Sequence, residues 1–214
     1  MTRLNLDPEK AHIFRIVHRD NLHWIYNYGI QCRNSNIYDP NFVEIGKQDI
    51  IQNRQSKHVP IPPGGTLSDY VPFYFTPSSI MLYNIISGHG GVKKRDKSEI
   101  VILVSSLHRL NDLRLKFIFT NQHACSTGVR YFDRIEDLKE IDWALLQSRN
   151  FKTNDEDPGK QVRYQAEALV HSQVPLNAIS GIGCFDEGMK MQIEKDLNVF
   201  DSKIPVKIIP KWYF

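Results

Sequence analysis

The sequence is poor in the features that would assign a class at once. It has three cysteines, Cys32, Cys125 and Cys184, far apart and without a C-x-x-C pair. An odd, scattered set of thiols argues against a disulfide framework or a thiolate zinc site and fits reduced cysteines in a reducing compartment. The eight histidines form neither H-x-x-x-H nor H-x-H, so no metal is expected. No stretch reaches the roughly 18 uncharged apolar residues of a membrane span. Residues 1–10 are polar and lack the apolar run of a signal peptide. A cytoplasmic protein without a membrane partner is the expectation. Also missing are a G-x-G-x-x-G following a strand and a P-loop, so any dinucleotide site must be of another kind. There is no internal repeat, low-complexity tract or linker.

What is present describes an ordinary globular chain. Its 214 residues, 41% apolar and 24% charged, suit a single domain over 1–214, expected to be monomeric. The formal charge of +3 is compatible with an anionic partner but too small to establish one.

Local patterns predict short elements. Residues 12–17 read as a strand, and Asp20 as the cap of a helix through Trp24 and Tyr28 that stops at Gly29. A polar loop over 31–44 precedes a short helix over 46–57. Residues 59–66 hold three prolines and two glycines and must form a defined turn. A strand over 70–75 and an apolar helix over 78–87 lead into a glycine-rich basic loop over 88–97. Strands over 99–105 and 115–120 flank a small helix over 106–113. Residues 121–161 are irregular, with one helix over 141–147, and such a long connection is usually functional. Strands over 163–174, 178–185 and 206–209, and an amphipathic helix over 186–197, complete the chain. Because strands and helices do not alternate regularly, the expected fold is α+β with mainly antiparallel pairing.

Three sites draw attention on chemical grounds. His18-Arg19-Asp20-Asn21-Leu22 puts a histidine at a strand end beside the free amides of a helix start, equally the pattern of a simple cap. The charges from Arg54 to His58 end a helix, where they are commonly solvated. Glu167 interrupts an apolar strand between Ala166 and Ala168, where burial without a partner would be costly. It either faces solvent or has a task. Small neighbours leave room for a ligand, and removal of this side chain is expected to leave the fold in place.

Taken in order, five blocks resemble the DarT family of DNA ADP-ribosyltransferases over nearly the whole chain. They are His18-Arg19-Asp20-Asn21-Leu22; Ile45-Gly46 with Asp49-Ile50 and Arg54; the run from Val59-Pro60 through Gly64-Gly65-Thr66-Leu67 to Tyr74-Phe75 and Pro77, with Met81-Leu82; Arg163, Gln165-Ala166-Glu167 and Leu169-Val170; and Trp212-Tyr213-Phe214. The resemblance implies an ADP-ribosyltransferase fold, in which a split, mainly antiparallel sheet with surrounding helices clamps NAD as co-substrate. The implied reaction transfers ADP-ribose to a base, thymine by family, of single-stranded DNA and releases nicotinamide. Such chemistry passes through an oxocarbenium-like state that a carboxylate stabilises.

The resemblance gives that role to Glu167. It makes Arg54 a second catalytic residue that contacts NAD and helps the base lose its proton. Because arginine stays charged across the accessible pH range, its chemistry favours stabilising the deprotonated base over accepting the proton itself, and both remain open here. By the same resemblance His18, Arg19, Asp20 and Asn27 line the NAD pocket, and the loop over 38–55 closes on the dinucleotide. Tyr74 and Phe75 offer faces for nicotinamide, although such strand aromatics equally suit a core. Lys93, Lys94, Arg95, His123, Arg130, Lys152, Lys160 and Arg163 would contact DNA, with Tyr131, Phe151 or Tyr164 for unpaired bases. A toxin neutralised by a macrodomain antitoxin is implied by family only. A transferase acting on protein or RNA, and a non-catalytic single-strand binder, are the competing readings.

Overall fold

Runs of β-branched and aromatic residues form the strands, and polar caps and glycines divide them. The computed structural model describes residues 5–214; the parts of the 1–10 reading and of the 1–214 domain that fall on residues 1–4 lie outside the described residues. In chain order the elements are β1 His12–His18, α1 Leu22–Tyr28, β2 Ile30–Gln31, α2 Gln48–Ser56, β3 Tyr70–Tyr74 and α3 Ile80–Ser87. β4 Ile100–Ser106, α4 Leu107–Asp112, β5 Phe117–Thr120, β6 Tyr131–Phe132, α5 Trp143–Ser148 and α6 Lys160–Arg163 follow. The chain ends with β7 Glu167–His171, β8 Gln173–Val174, β9 Gly181–Cys184, α7 Glu187–Val199 and β10 Val206–Ile208.

Caps explain most boundaries. Ser79, Ser106 and Asp186 accept from Leu82 N, Arg109 N and Met189 N and so start α3, α4 and α7. Two expectations are corrected. Asp20 does not cap α1, because a 3-10 turn over Arg19–Asn21 intervenes and His18 Nδ1 accepts from Asp20 N. The strand expected over 163–174 begins only at Glu167, since Lys160–Arg163 is helical, and it breaks at Ser172, whose φ is +65°.

Eight strands form one sheet in the order β10-β9-β4-β1-β3-β7-β5-β6, and β2 pairs with β8 in a small second sheet. Within the large sheet β9 and β10 are parallel, and the other neighbours are antiparallel. The architecture is the mainly antiparallel α+β one expected. Its central seam is incomplete. β1 pairs with β4 from His12↔Ser106 to His18↔Ile100, yet meets β3 only at Phe14↔Tyr74. β3 in turn pairs fully with β7, from Tyr70↔His171 to Tyr74↔Glu167. Pro72, in the middle of β3, has no N–H to offer β1. The sheet therefore separates into halves joined at one end, and Arg15 Nη1 donates across the gap to Pro72 O at 2.8 Å.

The core packs against both halves, with Phe73, Phe75, Phe119 and Leu146 fully buried. The C-terminal aromatics clasp it. Trp212 lies edge-on to Phe14, Ser78 Oγ donates to Trp212 O at 2.8 Å, and Tyr213 Oη donates to Ile100 O at 2.8 Å. This gives the last sequence block a structural task. Among the described residues no helix is long and apolar enough to cross a membrane.

A Cβ on Gly183 would lie 2.6 Å from Cζ3 of Trp212, a rigid ring held on several sides. Gly183→Ala is therefore expected to destabilise the protein by about 1–3 kcal/mol through overpacking. Thermal unfolding should show a midpoint roughly 2–4 °C lower for each kcal/mol lost. An unchanged midpoint would mean that the clasp yields freely.

Candidate active site

The gap between β1 and β3 opens into a cleft enclosing about 230 Å³ of solvent-accessible space. Arg15, Arg54, Tyr74, His123, Gln165 and Glu167 are among its lining residues. A second cavity of about 380 Å³ adjoins it, with Trp24, Ile25, Gly29, Ile30 and Tyr38 in its walls. The segment 32–47 passes over both. Asn21 tethers it, donating from Nδ2 to Val43 O at 3.0 Å and accepting from Val43 N at 2.8 Å. Arg33 and Glu44 pair within the segment at 3.1 Å.

Glu167 opens β7 at the base of the first cleft and is 1% exposed. Its carboxylate is held from two sides. Oε2 accepts from Arg54 Nη1 at 2.8 Å and Oε1 from Ala124 N at 2.9 Å, with His123 Nε2 4.0 Å away. The residues that bring Ala124 into place belong to the irregular stretch after β5. His123 N donates to Val162 O at 3.0 Å and Tyr131 Oη donates to Ala124 O at 3.0 Å. Burial pushes the Glu167 carboxyl up, but Arg54, His123 and the Ala124 amide outweigh it and hold it below the usual carboxylate range. The group is an oriented, ionised acceptor.

Arg54 reaches this carboxylate from the last turn of α2, an otherwise largely exposed helix that contributes no residue to the core. The proline–glycine turn secures that end of the helix. Leu67 N donates to Lys57 O and Val59 N to Gly65 O, both at 2.9 Å, and His58 bridges to Thr66. Gly65 has a φ of +77°, and a Cβ there would sit 2.6 Å from the Asp69 carboxylate that accepts from Thr66. Only glycine meets both demands. Burial pulls the Arg54 guanidinium down, yet Glu167 beside it outweighs burial and keeps it above its ordinary value. Burial likewise pushes the Tyr74 phenol and the Cys125 thiol up, so both stay neutral at physiological pH.

The sequence-predicted residues divide clearly. Glu167, Arg54, Tyr74 and His123 meet in one cleft. His18 is buried at the end of β1, 3.5 Å from both Asp20 and Glu99, and lines neither cavity. Arg19 and Asp20 are exposed and pair with each other at 3.5 Å. Asn27 points away, donating to His23 O at 2.9 Å. The expectation that Phe75 stacks on a ligand is corrected. It is 0% exposed and packs edge-on against Phe119 and Trp143, because strand alternation turns Tyr74 to the cleft and Phe75 to the core.

Among the basic residues, Lys93 and Lys94 stand exposed just after Val92, which lines the cleft. Arg95 lies 3.7 Å from Glu99, Arg130 pairs with Glu140 at 2.9 Å, and Arg163 holds Asp157 at 2.8 Å and Asp142 at 3.3 Å. Lys152 is exposed and Lys160 half-buried on α6. Of the aromatics considered for bases, Tyr164 is buried with its hydroxyl on Ser78 O, and Phe151 packs against Tyr83 and Phe214. Sequence reasoning missed Arg15 and the tether made by Asn21. Arg15 carried a signal, a lone charge in the apolar run from Ile13 to Val17.

Comparison with known proteins adds a second line of support. The family described as "ssDNA thymidine ADP-ribosyltransferase, DarT" matches residues 14–214. A DNA ADP-ribosyl transferase of Escherichia coli O127:H6 (strain E2348/69 / EPEC) is 44% identical over 210 residues, 98% of this chain and 96% of that protein. The structure of Thermus sp. 2.9 DarT in complex with ADP-ribosylated ssDNA is similar at a TM-score of 0.89 and 32% identity, covering 100% of both chains. The same protein in complex with NAD+ is similar at a TM-score of 0.84 and 33% identity, covering 97% of this chain and 99% of that one.

Because Glu167 is paired, its loss is now expected to lower stability, where the sequence alone suggested that the fold would stay in place. Glu167→Ala strands Arg54 without its counter-charge and should cost about 3–5 kcal/mol. The pH dependence follows from the depressed carboxyl. Its contribution is complete above the unfolded-state value of about 4.3 and is lost as pH falls through the lower folded value. Thermal unfolding of wild type and Glu167→Gln at pH 7 and below pH 4 tests this, with the wild-type advantage shrinking in acid. A constant difference would count against an ionised pair.

Proposed function

The chain belongs to the DarT family of ssDNA thymidine ADP-ribosyltransferases, and on that premise we propose that the cleft between β1 and β3 is its catalytic site. Its split α+β sheet is the ADP-ribosyltransferase fold. The protein is an NAD-dependent DNA ADP-ribosyltransferase, moving ADP-ribose from NAD to a base of single-stranded DNA and releasing nicotinamide. The observation that carries the assignment of the site is the buried Glu167–Arg54 pair, fixed at the base of an open cleft.

The residues present suit NAD. Arg54 Nη2 and Arg15 Nε are buried donors without acceptors, which favours an anionic ligand, and the cleft walls are largely apolar. In the proposed mechanism Glu167 accepts from the 2′-hydroxyl of the nicotinamide ribose. Its charge stabilises the sugar as the bond to the nicotinamide nitrogen breaks and the electron pair leaves with neutral nicotinamide. The ring nitrogen of the base forms the new bond to that sugar carbon, and its proton passes to solvent. Arg54 stays protonated, held so by Glu167, and so supports the reading in which it stabilises the deprotonated base.

We take thymine as the acceptor on the strength of the family description. Lys93, Lys94, Lys152 and Lys160, which have no ion pair among the described residues, are the proposed phosphate contacts, with His123 at the base of the cleft. Arg95, Arg130 and Arg163 are nearer to acidic partners and serve the surface less directly. His18, Arg19, Asp20 and Asn27 retain a proposed NAD role only through movement of the segments that carry them. The reading extends to one domain over 1–214, a monomer in the cytoplasm, and a toxin countered by a macrodomain antitoxin. No group of three His, Cys, Asp or Glu residues suited to a metal occurs among the described residues.

Mass spectrometry of oligonucleotides incubated with protein and NAD tests the assignment. A single strand should gain ADP-ribose on thymine, its matched duplex should gain little, and EDTA should change neither result. Glu167→Gln should lower turnover on the order of 10² to 10³ by removing a preorganised charge. A Gln variant within about threefold of wild type, far short of that loss, would remove Glu167 from the mechanism. Modification of protein or RNA in preference to the oligonucleotide would replace the acceptor.

A further inference from the structure

β5 ends in Thr120, a fully buried hydroxyl at the close of the apolar run Phe117, Ile118 and Phe119. On its β7 side the β5 ladder has Phe119↔Ala168 as its last pair, one residue short of Glu167. The hydroxyl takes over at that point. Thr120 Oγ1 accepts from Glu167 N at 3.3 Å and donates to Gln122 O at 2.6 Å. A buried hydroxyl is costly unless its bonds are made, and valine would fill the same volume in a strand without that demand. What the hydroxyl adds is a link between the backbone of Glu167 and the chain leaving β5.

That chain folds at once into a compact turn. Gln122 Nε2 donates to Ser126 Oγ and to Thr127 O, both at 2.9 Å, and Ser126 N donates to His123 O at 2.9 Å. Inside the turn lie two of the groups that meet the Glu167 carboxylate. Ala124 N donates to Oε1 at 2.9 Å, and His123 Nε2 stands 4.0 Å from the same oxygen. The main chain of Glu167 and its side chain are thus tied to one turn, the first through Thr120 and the second through Ala124.

This inference rests on the reading of Glu167 as the carboxylate that serves the reaction. We propose that Thr120 is a positioning residue for that reaction, holding the turn over 121–127 against Glu167 so that Ala124 N aims the carboxylate into the cleft. Thr120 lines neither cavity, so it acts through Glu167 and not on a substrate. Arg54 grips the other carboxylate oxygen from a largely exposed helix, which leaves the turn as the aiming contact built on the sheet. A displacement of about 1 Å at a reacting group can cost on the order of 10²-fold in rate, so a bond that sets this distance bears directly on turnover.

The test compares wild type, Thr120→Val, Thr120→Ser and Glu167→Gln by steady-state kinetics with NAD and oligonucleotide, and by hydrogen exchange at assigned backbone amides. Thr120→Val should lower kcat about 10- to 100-fold, with KM for NAD changed far less because the cleft keeps its lining. Thr120→Ser keeps the hydroxyl and should recover most of the loss. The Ala124 amide should exchange faster in Thr120→Val, while the amides of β1, β3 and β4 stay as protected as in wild type. Thermal midpoints establish that each variant is folded, and should Thr120→Val unfold, Thr120→Cys provides the same comparison with a weaker donor and acceptor. A kcat within about threefold of wild type in a folded variant without the hydroxyl overturns the proposal. Equal loss in Thr120→Val and Thr120→Ser, or faster exchange throughout the sheet, also overturns it, since either result marks a packing role. If Glu167→Gln keeps wild-type turnover, the reading of the site fails, and this inference with it; if Glu167→Gln is inactive while Thr120→Val is unimpaired, this inference alone fails.

Discussion

A backbone amide that proline does not have shapes the centre of this molecule. β3 carries Pro72 where its neighbour β1 would seek a ladder donor, and the two strands share a ladder pairing at Phe14↔Tyr74 alone. A sheet normally presents closed faces, whereas this one presents an opening. Each half is a complete ladder: β1 is paired along its whole length with β4, and β3 with β7. The cleft therefore needs no flexible element to exist, because it is the consequence of which strands are able to bond.

The opening also decides which side chains meet. Tyr74 faces Glu167 across the β3–β7 ladder, and Arg15 reaches over from β1 to the Pro72 carbonyl. Arg54 arrives from outside the sheet on a helix that contributes nothing to the core. A helix so poorly buried is held in place chiefly by what its ends touch. Here those are the Glu167 carboxylate and the rigid turn over 59–66. The pair and the turn act together, since the turn sets where the helix stops and the ion pair sets where its arginine points. The carboxylate is in turn aimed by Ala124 N, on a segment whose irregular backbone makes an amide available that a ladder would have consumed.

Much of the outline was legible in the chain. Alternating apolar runs located the long strands, and the ranges read for α3, α4 and α7 began within about two residues of the observed starts. The proline–glycine run from Val59 to Thr66 announced a fixed turn. A carboxylate among alanines drew attention to Glu167 without deciding between a solvent-facing side chain and a functional one. Misreadings came where one local signal competed with another of equal strength. Asp20 has the chemistry of a cap, but the His18 ring reached its amide first, and 163–174 looked like one strand because a helical turn and a left-handed Ser172 leave little trace in hydrophobicity.

By itself the sequence determined the elements, the turn and, through five ordered blocks, the family, because those depend on neighbours a few residues apart. Which charges share a site was decided by the tertiary structure alone. Arg54 and Glu167 are 113 residues apart and become partners only through the folding of α2 onto the β3–β7 half. Phe75 and Tyr74 are adjacent, yet one was taken by the core and the other left to the cleft. Arg15 stood in plain view as a lone charge in an apolar strand, but its significance required knowing that the strand beside it lacks an amide. Periodicity shows that a side chain faces one side; only packing shows what is waiting there.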